Sequence, residues 1–301
     1  MAALVFRNVL PAITTPFASD GSIDHTFLGA HARWLLEQGC SGLIPLGSLG
    51  EGAALEFDER VAVMRTLVDV AGTKPVLPGI GATSTPGAVR LAQAAQQAGC
   101  RGLMVLPAYV HRADLRETTA HVAAVLRATP LPCMLYNNPA AYGADFTPDV
   151  INTLAAAHSN LVAVKESSGD ARRVTAIRAL LGERLDVLVG LDDMVLEGVA
   201  AGASGWVAGL VNALPRDSVR LFELATAGRR DEAEELYRWF LPLLRLDTIP
   251  EFVQCIKLVQ HAVGQGNERV RAPRLALEGA LRDRTLSVVR TALASGPRVD
   301  A

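Results

Sequence analysis

The chain reads as an α/β protein, a TIM-type (β/α)8 barrel with a C-terminal helical appendage. Three observations carry this reading. Short apolar runs bounded by Gly and Pro alternate with amphipathic stretches eight times, the pattern of parallel strands covered by helices. Eight such units favour closure over an open sheet. Near Gly228 the alternation stops, and the remaining pattern is helical only. The expected division is therefore 1–228 for the barrel and 229–301 for the helical region, with no linker between them.

The strands fall near Val9–Thr14, Gly42–Pro45, Val76–Pro78, Gly102–Leu106, Cys133–Tyr136, Leu161–Lys165, Val187–Val189 and Gly205–Val207. The segments between them read as helices. Ile23 to Gln38 places Phe27, Ala30, Trp34 and Leu35 at helical spacing and stops before Gly39. Phe57 to Val70 puts Val61, Met64, Leu67 and Val68 on one face. Ser84-Thr85-Pro86 opens a helix that closes at Gly99; Thr147-Pro148 and Pro215 open two more. Asp170 can cap Ala171–Leu181, with Gly182 as its stop. The tail reads as Glu234–Leu244, Glu251–Val263 and Arg282–Ala294.

Bulk properties bound the function. The 301 residues are 50% hydrophobic with a formal net charge of -2, which supplies ample core material. No charge run points to nucleic acid. No apolar stretch is long enough for a membrane span, and Met1 to Leu10 lacks the features of a signal peptide. Cys40, Cys100, Cys133 and Cys255 are scattered without zinc spacing or a disulfide framework. They fit a reducing cytoplasm as small core residues. The six histidines form no metal-ligand cluster.

The organising stretch is Leu161-Val162-Ala163-Val164-Lys165-Glu166-Ser167-Ser168-Gly169-Asp170. A parallel α/β protein binds ligands at the C-terminal ends of its strands, and this strand ends there on a lysine. A lysine amine, once neutral, attacks a carbonyl to form a Schiff base. The chain has only two other lysines: Lys74, in a turn before Pro75, and Lys257, in an amphipathic helix. A structural ion pair or a snorkelling side chain is the competing explanation for Lys165.

The neighbouring strand ends supply further candidates. Gly47-Ser48-Leu49-Gly50-Glu51-Gly52 offers backbone N–H groups for a carboxylate and one hydroxyl. Tyr136-Asn137-Asn138-Pro139 brings a phenol that could relay protons. Tyr109 could join Tyr136 and Ser48 in a hydrogen-bonded chain. His111 reads as a loop histidine. Gly190 would leave room for substrate, while Asp192 and Asp193 suit helix caps. No carboxylate dyad or Ser/His/Asp set emerges in order.

Together, Gly47-Ser48-Leu49-Gly50-Glu51, Tyr136-Asn137-Asn138-Pro139 and Lys165-Glu166-Ser167-Ser168-Gly169 resemble the dihydrodipicolinate synthase / N-acetylneuraminate lyase family. The resemblance covers nearly the whole chain, including Thr14-Thr15-Pro16-Phe17. It implies a barrel with a C-terminal helical part, a homotetramer or dimer, and a 2-oxo acid held as a Schiff base on Lys165. Tyr136 would shuttle the proton, and Ser48 would link it to Tyr109, which in many members enters from a neighbouring subunit. The amides of Ser48 and Leu49 would hold the substrate carboxylate, with Gly190 and Val207 also lining the site. No metal or organic cofactor is implied, because the imine is the electron sink.

Two departures from the family pattern matter. The synthase branch carries an arginine two residues after the proline of the tyrosine loop, where this chain has Ala141. A methyl group cannot replace a bidentate carboxylate partner. Leu49 stands where a second hydroxyl residue is common, which argues against a polyhydroxylated substrate. Tyr136-Asn137-Asn138-Pro139 with Tyr142-Gly143, and Arg238-Trp239-Phe240-Leu241-Pro242, are most similar to members that deaminate 1-pyrroline-4-hydroxy-2-carboxylate. A pyruvate-dependent aldolase cleaving a 2-oxo-3-deoxy or 4-hydroxy-2-oxo acid is the alternative expectation; the dihydrodipicolinate synthase reaction and a non-catalytic 2-oxo-acid-binding barrel are the more distant ones.

Overall fold

The computed structural model describes residues 6–108 and 114–296. Tyr109 and His111 lie outside these residues. Seven parallel strands form one sheet in the order β1-β7-β6-β5-β4-β3-β2. They are β1 (Asn8–Pro11), β2 (Gly79–Ile80), β3 (Leu103–Val105), β4 (Cys133–Asn137), β5 (Leu161–Glu166), β6 (Asp186–Val189) and β7 (Gly205–Ala208). The predicted Gly42–Pro45 strand appears as a stretch that bridges the two edges. Ala12 pairs with Ile44, and Leu43 pairs with Val76. Ile44 N–H donates to Pro11 O at 2.8 Å, and Gly79 N–H to Pro45 O at 2.8 Å. These bonds close the sheet, so the fold is the expected (β/α)8 barrel. Prolines at 45, 75 and 78 remove N–H donors along the seam, which keeps pairing there too sparse for full strands.

Capping residues set where the helices begin. Asp24 accepts from Phe27 N–H at 2.9 Å and starts α1 (His25–Glu37). Glu56 and Glu59 form a capping box on α2 (Phe57–Ala71). Ser84 caps α3 (Thr85–Gln97), and Asp114 caps α4 (Leu115–Arg127). A one-turn helix, α5 (Pro139–Tyr142), precedes α6 (Pro148–Ala157). Then come α7 (Arg172–Leu181), α8 (Val195–Ala200) and α9 (Pro215–Thr226). Helix α7 starts one residue later than expected: Asp170 accepts from Arg172 N–H at 3.0 Å. The C-terminal region holds α10 (Arg230–Leu244), α11 (Phe252–Ala262) and α12 (Gly279–Ser295). Helix α10 begins four residues before the predicted Glu234, because its first turn is charged rather than apolar. Asp231 and Glu232 suit the helix N-terminus there, and Arg230 pairs with Glu234 at 2.8 Å.

Two polar clusters tie α11 to the barrel. In the first, Lys257 and Glu51 form an ion pair with both side chains out of solvent. Lys257 Nζ also donates to Thr15 O at 2.8 Å and Arg269 O at 2.7 Å. Glu51 accepts from Arg271 N–H at 3.0 Å. In the second, Gln260 accepts from Thr14 Oγ1 at 2.9 Å, and Asn212 Nδ2 donates to Ala12 O and Gly209 O. His31 lies against both amides, 3.4 Å from Asn212 Oδ1 and 3.3 Å from Gln260 Nε2. The four cysteines are buried and unpaired. No helix among the described residues is long and apolar enough to cross a membrane.

Removing one partner of a buried ion pair strands the other charge. Lys257→Met should therefore lower the unfolding free energy by about 3 kcal/mol, measured by urea denaturation, and the Glu51→Gln/Lys257→Met double variant should recover part of that loss. Burial pushes the His31 imidazole down to about 4. The unfolded chain then takes up this proton before the folded one does. Stability contributed by neutral His31 is complete above the ordinary histidine value and is lost as pH falls through it toward 4. Between pH ~7 and ~4.5 this residue should account for about 2–3 kcal/mol of lost stability, a loss that His31→Gln should lack in parallel urea titrations.

Candidate active site

The register of the sheet sets Lys165 of β5 directly beside Tyr136 of β4. One residue further on, Asn137 pairs with Glu166. Asn137 Nδ2 donates to Glu166 Oε2 at 3.0 Å, and Phe146 N–H donates to Asn137 Oδ1 at 3.0 Å. Glu166 also accepts from Ser168 N–H at 2.6 Å. Burial pushes the Glu166 carboxyl up, against these hydrogen bonds. This buried polar lock fixes the two strand ends, and with them the lysine and the phenol.

Lys165 is 7 % exposed. Its Nζ lies 4.3 Å from the centroid of the Tyr136 ring, a cation–π distance, and finds no hydrogen-bond acceptor among the described residues. Gly190, one residue past β6, forms the opposite wall. A Cβ there would lie 2.6 Å from Lys165 Cε and 2.0 Å from Ser167 Oγ, so a side chain at this position would displace the lysine.

The tyrosine loop brings a second phenol. Asn138 caps α5, accepting from Ala141 N–H at 3.0 Å, and donates to Tyr136 OH at 3.1 Å. Tyr142 ends α5, and its ring meets that of Tyr136 edge-on with centroids 5.6 Å apart. The Tyr142 hydroxyl forms a short hydrogen bond with Ser48 Oγ. Ser48 was expected to meet Tyr109. Within the described residues its partner is Tyr142, whose sequence context points only to the subgroup.

Ser48 and buried Leu49 sit in a loop with left-handed backbone at Leu46 (φ 64°) and Glu51 (φ 53°). The bonds that close this loop engage the N–H groups of Glu51 and Gly52, not those of Ser48 and Leu49. Val207 is buried in β7. Asp192 does not cap a helix as expected. It is fully buried, and accepts from Trp206 Nε1 at 2.9 Å, Gly209 N–H at 3.0 Å and Leu210 N–H at 2.7 Å. Asp247, which no sequence motif marks, reaches the same place from the turn after α10. No group of three or more His, Cys, Asp or Glu residues suited to a metal ion occurs among the described residues.

Comparison with known proteins identifies the family of the chain. The Dihydrodipicolinate synthetase family profile matches residues 5–292. The 4-hydroxy-tetrahydrodipicolinate synthase of Agrobacterium fabrum is 33% identical over 270 residues, covering 89% of this chain and 92% of that protein. The enzyme of that name from Methanothrix thermoacetophila is 36% identical over 250 residues, covering 82% and 84%. A crystal structure of dihydrodipicolinate synthase from Bacillus anthracis superposes with a TM-score of 0.92 at 26% identity, over 98% of this chain and all of that one (100%). YagE, a prophage protein of the same family from E. coli K12 solved in complex with pyruvate, gives a TM-score of 0.90 at 28% identity over 96% and 99%. With its barrel, its strand-end lysine and this similarity along almost its full length, the chain belongs to the dihydrodipicolinate synthetase family of Schiff-base (class I) lyases.

Proposed function

We propose that this lyase acts on a small cyclic imino acid, dehydrating and deaminating 1-pyrroline-4-hydroxy-2-carboxylate. The carrying observation is Ala141. It stands where the synthase branch has an arginine for a second carboxylate, and it presents only a methyl group. A substrate with one carboxylate needs no such partner. The amides of Ser48 and Leu49 hold that carboxylate, and Leu49, Gly190 and Val207 shape a compact, largely apolar wall.

In this reading Lys165 attacks C2 of the cyclic imine and opens the ring. The ligand remains as a Schiff base, with the ring nitrogen freed as an amine on C5. Removal of a C3 proton gives the enamine, with Tyr136 carrying the proton and Ser48 and Tyr142 continuing the relay. Tyr109 is assigned to this relay as well. The enamine electrons expel the C4 hydroxyl as water. Tautomerisation and hydrolysis then release ammonium and 2,5-dioxopentanoate, with one net water consumed. The enzyme works as a homotetramer or dimer in this proposal.

A second reading, a pyruvate-dependent aldolase, uses the same Lys165 and Tyr136. It is favoured by the pyruvate bound to YagE. Parallel incubations separate the reactions: ammonium release from the 4-hydroxy imino acid supports the deaminase, and pyruvate release from 4-hydroxy-2-oxo acids supports the aldolase. Condensation of pyruvate with aspartate semialdehyde would instead support the synthase activity named for the relatives.

Borohydride with pyruvate should add a stable mass to the peptide carrying Lys165, and Lys165→Ala should abolish both adduct and turnover while leaving the fold intact. An adduct that survives this substitution would remove Lys165 from the chemistry. Tyr136→Phe should keep the borohydride-trapped adduct and slow turnover by roughly a hundredfold; wild-type turnover in this variant would show that the phenol carries no proton.

A further inference from the structure

The C-terminal region sends one carboxyl to the barrel mouth. Asp247 rests on Gly209, the residue after β7. A Cβ added at Gly209 would lie 2.1 Å from Asp247 Oδ1 and 2.8 Å from Oδ2. The N–H of the same glycine donates to Asp192 Oδ1 and Oδ2 at 3.0 and 3.1 Å. Two carboxyls therefore flank one glycine, at the end of the barrel where Lys165 finishes its strand.

The two are not equivalent. Asp192 accepts hydrogen bonds from Trp206, Gly209 and Leu210, a donor set that stabilises an anion. Asp247 Oδ1 is buried and accepts none among the described residues. Carboxylates this close cannot both ionise easily, and the proton belongs on the one without donors. Burial and the neighbouring charges of Asp192 and Asp193 raise the Asp247 carboxyl well above its ordinary value, against the opposing pull of Lys165. Burial also raises Asp192, up to about 6, against the hydrogen bonds it accepts.

We infer that Asp247 is a further catalytic residue, the acid that gives its proton to the hydroxyl leaving from the ligand bound on Lys165. The inference rests on the function proposed above. At this step the lysine nitrogen belongs to a neutral enamine. The C2=C3 electrons move to form C3=C4, and the C4–O bond breaks toward oxygen. That oxygen takes the Asp247 proton and leaves as water. The Lys165 nitrogen becomes an iminium cation as Asp247 becomes a carboxylate. Opposite charges thus appear together in a poorly solvated site, where each stabilises the other.

The test is Asp247→Asn, which keeps the shape and removes the proton. Infrared difference spectra of wild type minus variant near neutral pH should contain the C=O stretch of a protonated carboxyl, whatever the substrate. Turnover of the 4-hydroxy imino acid should fall by at least about a hundredfold, with the borohydride-trapped adduct retained. Turnover of the 4-fluoro analogue should change little, because fluoride departs without needing a proton. A missing carboxyl band, or equal losses with both leaving groups, overturns the acid while leaving the proposed function standing. A wild-type enzyme that forms the adduct but releases no ammonium refutes the proposed function, and with it the leaving group assigned to Asp247.

Discussion

The arrangement of the barrel mouth depends on one buried ion pair, Lys257 with Glu51. Taking two charges out of water costs more than their attraction returns unless other hydrogen bonds complete them. Here the carbonyls of Thr15 and Arg269 and the amide of Arg271 do so. The pair gathers the exit of β1, the glycine loop, α11 and the chain near 269–271 at one point. Glu51 ends a loop that holds two non-glycine residues in left-handed backbone, a conformation that surrounding structure must enforce. Fixing Glu51 thereby fixes Ser48 three residues earlier, and the Ser48–Tyr142 hydrogen bond follows from it.

The C-terminal helices thus do more than cover the barrel. Helix α11 supplies Lys257 and Gln260 to buried clusters at the mouth. The turn after α10 supplies Asp247, and Tyr237 of α10 donates to Asp193 O. Barrel strands place the lysine and one phenol, while the helical region determines the loops and carboxyls around them. The site is therefore a joint product of both parts of the chain.

Much of this was legible in the sequence because the barrel's periodicity is regular. The apolar runs gave most of the strands, and Asp, Ser and Pro at helix starts gave the helix order. The Gly42–Pro45 run was legible as a strand but forms only bridges, because nearby prolines remove ladder donors. Lys165 stood out by ending a buried strand, and Tyr136 by ending its neighbour. Tyr142, Asp192 and Asp247 did not stand out, for a shared reason: each reaches its partner through a turn whose direction no local pattern encodes. Asp192 even carried a misleading signal, since an aspartate before a helix usually caps it. Its carboxyl instead satisfies the indole and two backbone amides of the next strand's exit. Lys257 was legible as helical, but its burial was not, because its countercharge lies 206 residues away in sequence.

The two buried lysines show why burial alone does not identify a nucleophile. Burial pushes the Lys257 ammonium down to about 8, the direction associated with a reactive amine. Yet its three protons point to a carboxylate and two carbonyls. Attack would require breaking all of these bonds and leaving a buried glutamate unpaired. Lys165 is held differently, by shape. An aromatic face lies on one side, a glycine wall on the other, and no acceptor among the described residues fixes its nitrogen. Bond formation at that nitrogen forfeits no structural hydrogen bond. The difference between a lysine that holds the fold and one whose nitrogen is free to form a new bond thus lies in the number of partners it must give up.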